Sequence, residues 1–412
     1  IAVDPRYVEL ASARLPALQA NPNSRLLDAG KAPGPGFILK QPELARTLEA
    51  IARLGHAGFY SGPTARTLVE AVNAAGGLWS LADLENYRVI ERVPLRINYR
   101  GARVTTVPPP SSGGLVLAES LGILSHLPAA QNSQRVHYVV EALRRGYQDR
   151  AIYMGDPAFT RIPADELRSE AYARQRAASI DARRATPSEP LAAPPDAVDG
   201  DNTTHFSIID RHGNRVAATL SINTPFGSGF VAGTSGVLLN NEMDDFSIAP
   251  GLPNSDGLVG GGANAIEPGK RPLSSMSPAF VEDRRGVLIL GTPGGSRIIS
   301  MLLLAILGYL DQVQPDAQRV VDGARFHHQF LPDRLEVEPP GFAPELLREL
   351  EAMGHRVHVA QRSWGNMQAV YFDYQTLQAS AASDRRAQQR PWPAPAHNPN
   401  AGRPASCIMA FC

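Results

Sequence analysis

Two alternating runs meet across a polar loop in "TTHFSIIDRHGNRVAATLSIN", residues 203 to 223, a pattern that admits little besides an antiparallel hairpin. With Asp210 to Asn214 as the loop, Ile209 opposes Arg215 and Thr203 opposes Ser221. Side chains alternate across a strand, so Thr203, His205 and Ser207 share a face with Ala217, Thr219 and Ser221, while Phe206 and Ile208 join Ala218, Leu220 and Ile222. One face is oily and the other is lined with hydroxyls, with Asn223 just beyond. A half-exposed hairpin, rich in threonine because threonine suits strands, satisfies this pattern by itself.

The text upstream suggests more. Residues 184 to 202 are rich in Pro, Ala and Asp and form an exposed connection that ends directly at Thr203. A threonine inside a chain is a poor nucleophile. If the bond between Asn202 and Thr203 is cut, Thr203 gains an α-amino group of pKa ~7.7–8.0, a base near neutral pH beside its own hydroxyl. The loop then reads as a peptide bond presented for cleavage.

The rest of the chain fixes the fold class. "PELARTLEAIARL" and "TARTLVEAVNAAGG" carry apolar residues at helical spacing, the second stopping at Gly76 and Gly77, and Ser80 with Asp83 marks a further helix start. "LRINYRGARVTTV" reads as two strands about a tight turn. "PPPSSGG" at 108 to 114 and two longer helical stretches up to about Tyr153 follow. After Thr203 come strands in "HFSIID", "RVAATLSIN", "SGVLLNN", "PAFVE" and "GVLILG", then an apolar helix. "RLEVEP", a helix from about 343, "RVHVA", "MQAVYFD" and "LQASAAS" complete the order. Helices, then strands, then helix and strands predict a layered α/β protein with antiparallel sheets covered by helices.

Composition narrows the function. Lysine plus arginine equals aspartate plus glutamate at 40 each among 412 residues, so no overall field favours nucleic acid or an anionic membrane. The two cysteines, Cys407 and Cys412, build neither a disulfide framework nor a metal cluster. The longest apolar run, 298 to 310, falls short of the ~20 residues of a membrane span. The chain starts at Ile1 without a methionine or signal-peptide pattern and enters helical text at once, as expected of a piece cut from a longer precursor.

Several clusters have chemistry to offer. In "GVLILGTPGGSRIIS", Gly294 and Gly295 follow a strand and precede a helix, where backbone N–H groups suit an oxyanion. A phosphate loop is the competing reading, but no Gly-Lys-Ser/Thr follows. In "LLNNEMDDFS", Glu242, Asp244 and Asp245 suit a hard cation, an ammonium group or merely a solvated strand end, although the periodicity of a calcium loop is lacking. Ser274 and Ser275 in "KRPLSSMSP" offer hydroxyls and amides to a carboxylate, or are loop text. His205, His327 and His328 lack metal-like spacing and read as structural.

Taken in order, "TTHFSIID", "NTPFGSG", "LLNNEMDDFS", "KRPLSSMSP" and "GTPGGSR" resemble the small subunit of γ-glutamyltranspeptidase, or glutathione hydrolase. "FYSG", "AAGGLWSLADLENYRV", "VPPPSSGG" and "YQDRAIYMGDPAF" resemble the C-terminal part of that family's large subunit. Only the last ~25 residues fall outside the likeness. The resemblance implies the N-terminal-nucleophile αββα sandwich, two stacked antiparallel sheets flanked by helices. Residues 1–202 would be the C-terminal part of the large subunit, ending in the processing loop, and 203–412 the small subunit. The two would form one intertwined unit, a heterodimer of the chain's own processed pieces.

Carried over residue by residue, the resemblance makes Thr203 the autoprocessing and catalytic nucleophile, released from Asn202. Ser221 becomes its neighbouring hydroxyl, usually threonine in the family, and Gly294 with Gly295 the oxyanion donors. Asn223, Glu242 and Asp245 would hold the α-amino and α-carboxyl end of the γ-glutamyl group, and Ser274 with Ser275 its carboxylate. The implied reaction passes the γ-glutamyl group of glutathione to water, an amino acid or a dipeptide, without metal or organic cofactor. The implied location is periplasmic or secreted. Two departures stand out. The family's large subunit begins well before residue 1 and contributes a substrate-binding arginine there, and Asp256 sits in the lid loop where many bacterial members carry tyrosine. Cephalosporin (glutaryl) acylase and poly-γ-glutamate depolymerase are the rival activities. A non-catalytic, unprocessed fragment is the rival of another class.

Overall fold

The computed structural model describes residues 1–21, 24–188, 203–249, 251–254, 256–386 and, as backbone, 408–411. Asn202 and most of the connection before Thr203 therefore lie outside the described residues. Two compact units emerge: Ile1–Arg92 with Ser221–Glu242, and Val93–Leu220 with Met243–Cys412.

In the first unit the helices Pro42–Leu54 and Gly62–Ala74 form where the apolar spacing predicts. The second stops as expected: Gly76 takes a φ of +90°, and Gly77 N–H donates to the Val72 carbonyl at 2.9 Å. Ser80 and Asp83 exchange both bonds of a capping box. Residues 222 to 241 pack here without strand or helix, tied down where Thr47 Oγ1 donates to the Ser235 carbonyl at 2.7 Å. The strand expected at "SGVLLNN" does not form, because turns at Gly233 and Gly236, both at positive φ, leave a single bridge between Val231 and Leu238.

The second unit is layered. A six-stranded antiparallel sheet runs in the order β1 (Leu95–Tyr99), β2 (Ala102–Thr106), β5 (Ala279–Asp283), β6 (Gly286–Gly291), β10 (Gln368–Asp373) and β11 (Ala379–Ser383). The hairpin β3 (Thr203–Ile209) and β4 (Arg215–Ser221) forms a second sheet, with β12 (Ile408–Phe411) antiparallel to β3. A small third sheet joins β7 (Phe326–His327), β8 (Leu335–Val337) and β9 (Val357–Val359). Alternation in β6 divides the core. Leu288 and Leu290 pack with the helices Gly113–Ser125 and Ile298–Asp311, whereas Val287 and Ile289 meet Ile209 and Ala217 of the hairpin.

The hairpin thus turns its hydroxyl-bearing face inward. His205 and Ser207 are fully buried and Thr203 nearly so, while Val216 and Leu220 on the oily face remain 42% and 56% exposed. The alternation left open which face is buried; the inner face mixes Ile209 and Ala217 with polar groups that bond one another. The last four described residues, Ile408–Phe411, pair with Phe206–Ile209 of β3.

Among the helices, Glu119 on Gly113–Ser125 is buried without a hydrogen-bond partner for either carboxyl oxygen among the described residues. Burial, and then the charge of Asp149, push its pKa well above the ordinary carboxylate value. A group whose folded pKa is raised contributes stability below its unfolded pKa, ~4.3 for glutamate, and loses it as pH rises toward the folded value. Glu119→Gln is therefore expected to gain thermal stability relative to the parent between pH 5 and 8. Melting curves at both pH values check this, and a pH-independent difference would contradict it.

Candidate active site

Thr203 opens β3 as one of the buried residues of its inner face. Two residues on, His205 places one ring nitrogen 2.8 Å from Thr219 Oγ1 and the other 3.0 Å from Ser207 Oγ. Ser207 Oγ donates to the Gln368 carbonyl, so His205 Nε2–H donates to Ser207 and Nδ1 accepts from Thr219. Burial lowers the His205 pKa to about 3, and the ring is neutral at physiological pH. The His205–Thr219 bond joins opposed residues of the predicted register, as does Asp210 N–H to the Asn214 carbonyl at 3.0 Å.

The same ring locates the glycine turn. A β-carbon on Gly291 would lie 2.2 Å from His205 Nδ1, so the end of β6 touches the start of β3 and only glycine fits. Three residues later Gly294 adopts a φ of +140° and Gly295 one of +52°. These dihedrals are followed by a 3₁₀ turn and the helix Ile298–Asp311, and backbone N–H groups at a helix start favour anions. Tyr147 steadies the turn by donating to the Ser296 carbonyl.

Ser274 and Ser275 lie on a segment bonded to "PPPSSGG", to which the sequence assigned no role. Ser112 N–H and Oγ–H both donate to the Ser274 carbonyl at 2.8 Å, and Ser274 N–H donates to Pro110 O at 3.0 Å. Only backbone atoms of Ser274 and Ser275 are used in this way. Their own hydroxyls make no hydrogen bond among the described residues.

Arg150 is the residue sequence reasoning missed. Buried on the long helix Asn132–Tyr153, it donates from Nε to Ser112 Oγ at 3.0 Å. Burial lowers its pKa, while the charges of Asp245 and Asp256 hold it up. Asp245 shares a small cavity with Arg150, and its carbonyl accepts from Asn264 Nδ2 at 2.7 Å.

The remaining candidates belong to the first unit. Ser221 Oγ accepts from Asn223 N–H at 2.9 Å, and Asn223 takes a φ of +69°. Its Nδ2 donates to the Asn241 carbonyl at 3.1 Å, drawing Asn223 toward the segment that carries Glu242. One Glu242 oxygen is buried with no hydrogen-bond partner among the described residues.

Among the described residues the single group with metal-like spacing is His137, Glu141 and His355. Its carboxylate already takes Arg144 Nε at 3.1 Å, Arg145 Nη1 at 2.7 Å and Thr186 N–H at 3.1 Å, and the two rings bond each other at 2.8 Å. This network anchors residues 181 to 188, since His137 also bonds the Asp181 carbonyl and Arg144 reaches Ser188.

The family model of γ-glutamyltranspeptidase matches residues 1–394 of the chain. The chain belongs to the γ-glutamyltranspeptidase family. It is 42% identical over 343 residues to a glutathione hydrolase proenzyme of Pseudomonas sp. strain A14, covering 82% of the chain and 60% of that protein. Against a glutathione hydrolase proenzyme of Escherichia coli strain K12 the identity is 43% over 344 residues, covering 81% of the chain and 58% of the relative. The chain thus spans about three fifths of these relatives. A crystal structure of cephalosporin acylase from Bacillus halodurans shares the layered α/β fold at a TM-score of 0.79 and 24% identity, over 94% of this chain and 70% of that one. In this γ-glutamyltranspeptidase family member, no helix among the described residues is long and apolar enough to cross a membrane.

Proposed function

We propose that the protein, made from its full reading frame, cuts its own backbone before Thr203 and then works as a γ-glutamyltransferase and glutathione hydrolase. The cut turns residues 1–202 and 203–412 into large- and small-subunit pieces of one heterodimer. Thr203 Oγ1 attacks the γ-carbonyl of a γ-glutamyl amide while its proton passes to the new α-amino group. The oxyanion rests on Gly294 and Gly295 N–H. The C–N bond then breaks and the amine, cysteinylglycine from glutathione, leaves with the proton. A γ-glutamyl ester of Thr203 remains, and water or the amine of an amino acid or dipeptide releases it. Ser221 supplies the neighbouring hydroxyl. Asn223, Glu242 and Asp245 hold the amino-acid head, and Ser274 with Ser275 its carboxylate. The family's periplasmic or secreted location goes with this reading.

The observation that carries the substrate class is the buried Glu242 oxygen, which has no hydrogen-bond partner among the described residues. Such an acceptor is costly unless a donor arrives, and the α-ammonium of a γ-glutamyl group is a suitable one. Paired assays of γ-glutamyl and glutaryl 4-nitroanilide test this, because glutaryl lacks only the amine. Glu242→Gln is expected to raise KM for the γ-glutamyl anilide roughly 10- to 100-fold, a loss of about 1.4–2.7 kcal/mol, without affecting any glutaryl activity. A parent that prefers the glutaryl anilide would be an acylase.

A further inference from the structure

The serine pair at 274 and 275 is held from behind, by a route that leads back to Arg150. Ser274 pairs with Ser111 as an isolated parallel bridge, and Ser111 Oγ donates to the Met276 carbonyl at 2.5 Å. Ser112, fully buried, gives its hydroxyl proton to the Ser274 carbonyl, so the lone pairs of its Oγ remain for Arg150 Nε–H. A carbonyl and the N–H that follows it point to opposite sides of one planar peptide. Fixing the Ser274 carbonyl toward Ser112 therefore turns the Ser275 N–H the other way, where it makes no hydrogen bond among the described residues.

Arg150 itself is sparsely bonded for a buried cation. It is 5% exposed, yet only Nε is engaged, and Nη1 and Nη2 have no hydrogen-bond partner among the described residues. It lines a small cavity with Asp245, Asn264 and Leu273. Asn264 ties the serine segment to the acidic one, accepting from Leu273 N–H at 3.1 Å and donating to the Asp245 carbonyl at 2.7 Å. A guanidinium buried with so few bonds is costly. A carboxylate arriving at the serine pair offsets part of that cost.

We propose that Arg150 is a positioning residue which, through Ser112, aims and polarises the Ser274–Ser275 peptide to receive the α-carboxylate of the donor. The inference rests on the reading of Ser274 and Ser275 as the carboxylate subsite. Arg150 does not touch the substrate in this account. Its charge reaches the carboxylate through one hydroxyl and one peptide, an effect worth about tenfold in affinity for an anion at a buried site. Donors with a free α-carboxylate are thereby selected over isosteric neutral ones.

The test compares γ-glutamyl-4-nitroanilide with the same anilide bearing a carboxamide in place of its α-carboxylate, using processed protein made from its full reading frame. The parent is expected to favour the carboxylate at least about 30-fold in kcat/KM. Arg150→Met should narrow that preference about tenfold, through a raised KM for the carboxylate substrate, with the carboxamide within about threefold of the parent. Arg150→Lys keeps the charge without the guanidinium fork and should lose only about threefold. Ser112→Ala breaks the link while leaving Arg150 in place, should also lose about threefold, and decides alone if Arg150→Met stays uncut. A preference unaltered in these variants, or an equal loss on both substrates, overturns the proposal. A parent without the preference overturns the reading of the serine pair as well, and one with no Thr203-dependent turnover of either anilide overturns the enzymatic reading, so the three failures are distinguishable.

Discussion

Gly294→Ala, in protein made from its full reading frame, is expected to lower kcat for γ-glutamyl-4-nitroanilide by about 10²–10³, the usual effect of removing one oxyanion donor. Alanine keeps the N–H but not the conformation. At a φ of +140° an L-residue is strained wherever it points, and the new methyl would sit 2.5 Å from Met301 Cε at the first turn of the following helix. The turn must rotate to relieve both, and its N–H groups lose their aim. The core beneath stays in place, because Ile298, Ile299 and Leu302 remain packed in it. A kcat drop with a melting temperature within a few degrees of the parent supports the role. Turnover within threefold of the parent would remove Gly294 from the site.

Thr203→Ala is expected to abolish turnover, by about 10⁴-fold or more, since a covalent mechanism has no substitute for its nucleophile. Thr203→Ser keeps a hydroxyl and is expected to retain measurable activity. Both variants are expected to fold, because the inner face of β3 is also held by the bonds of His205 to Thr219 and Ser207, by Ser207 to Gln368, and by Ile209 packed against Val287 and Ile289. Residual turnover in Thr203→Ala, with near-ultraviolet circular dichroism unchanged, would place the nucleophile elsewhere.

Much of this was legible in the sequence. Alternation about "DRHGN" gave the hairpin register that the His205–Thr219 bond shows, and Gly76, Gly77, Ser80 and Asp83 marked helix ends correctly. Local patterns suffice there because the physics is local. Orientation is a different matter, since alternation separates two faces without telling which one meets the second sheet. Here burial went to the polar face, because Ile209 and Ala217 on it meet Val287, Ile289 and Val370 while the histidine and hydroxyls satisfy one another. Arg150 with Ser112, and Ser112 with Ser274, escaped notice for a related reason: the second pair lies 162 residues apart and has no periodic signature. Asp256 was noticed as a departure, but only the fold brings it against Gly295.

The central claim is that a peptide bond breaks to create the nucleophile. The most direct measurement is the intact mass of purified protein made from its full reading frame, parent beside Thr203→Ala, after incubation at neutral pH. Two chains in the parent, the smaller beginning at Thr203, and one uncut chain in the variant are the predicted result. A parent that stays whole like the variant, or breaks at another bond, would contradict it.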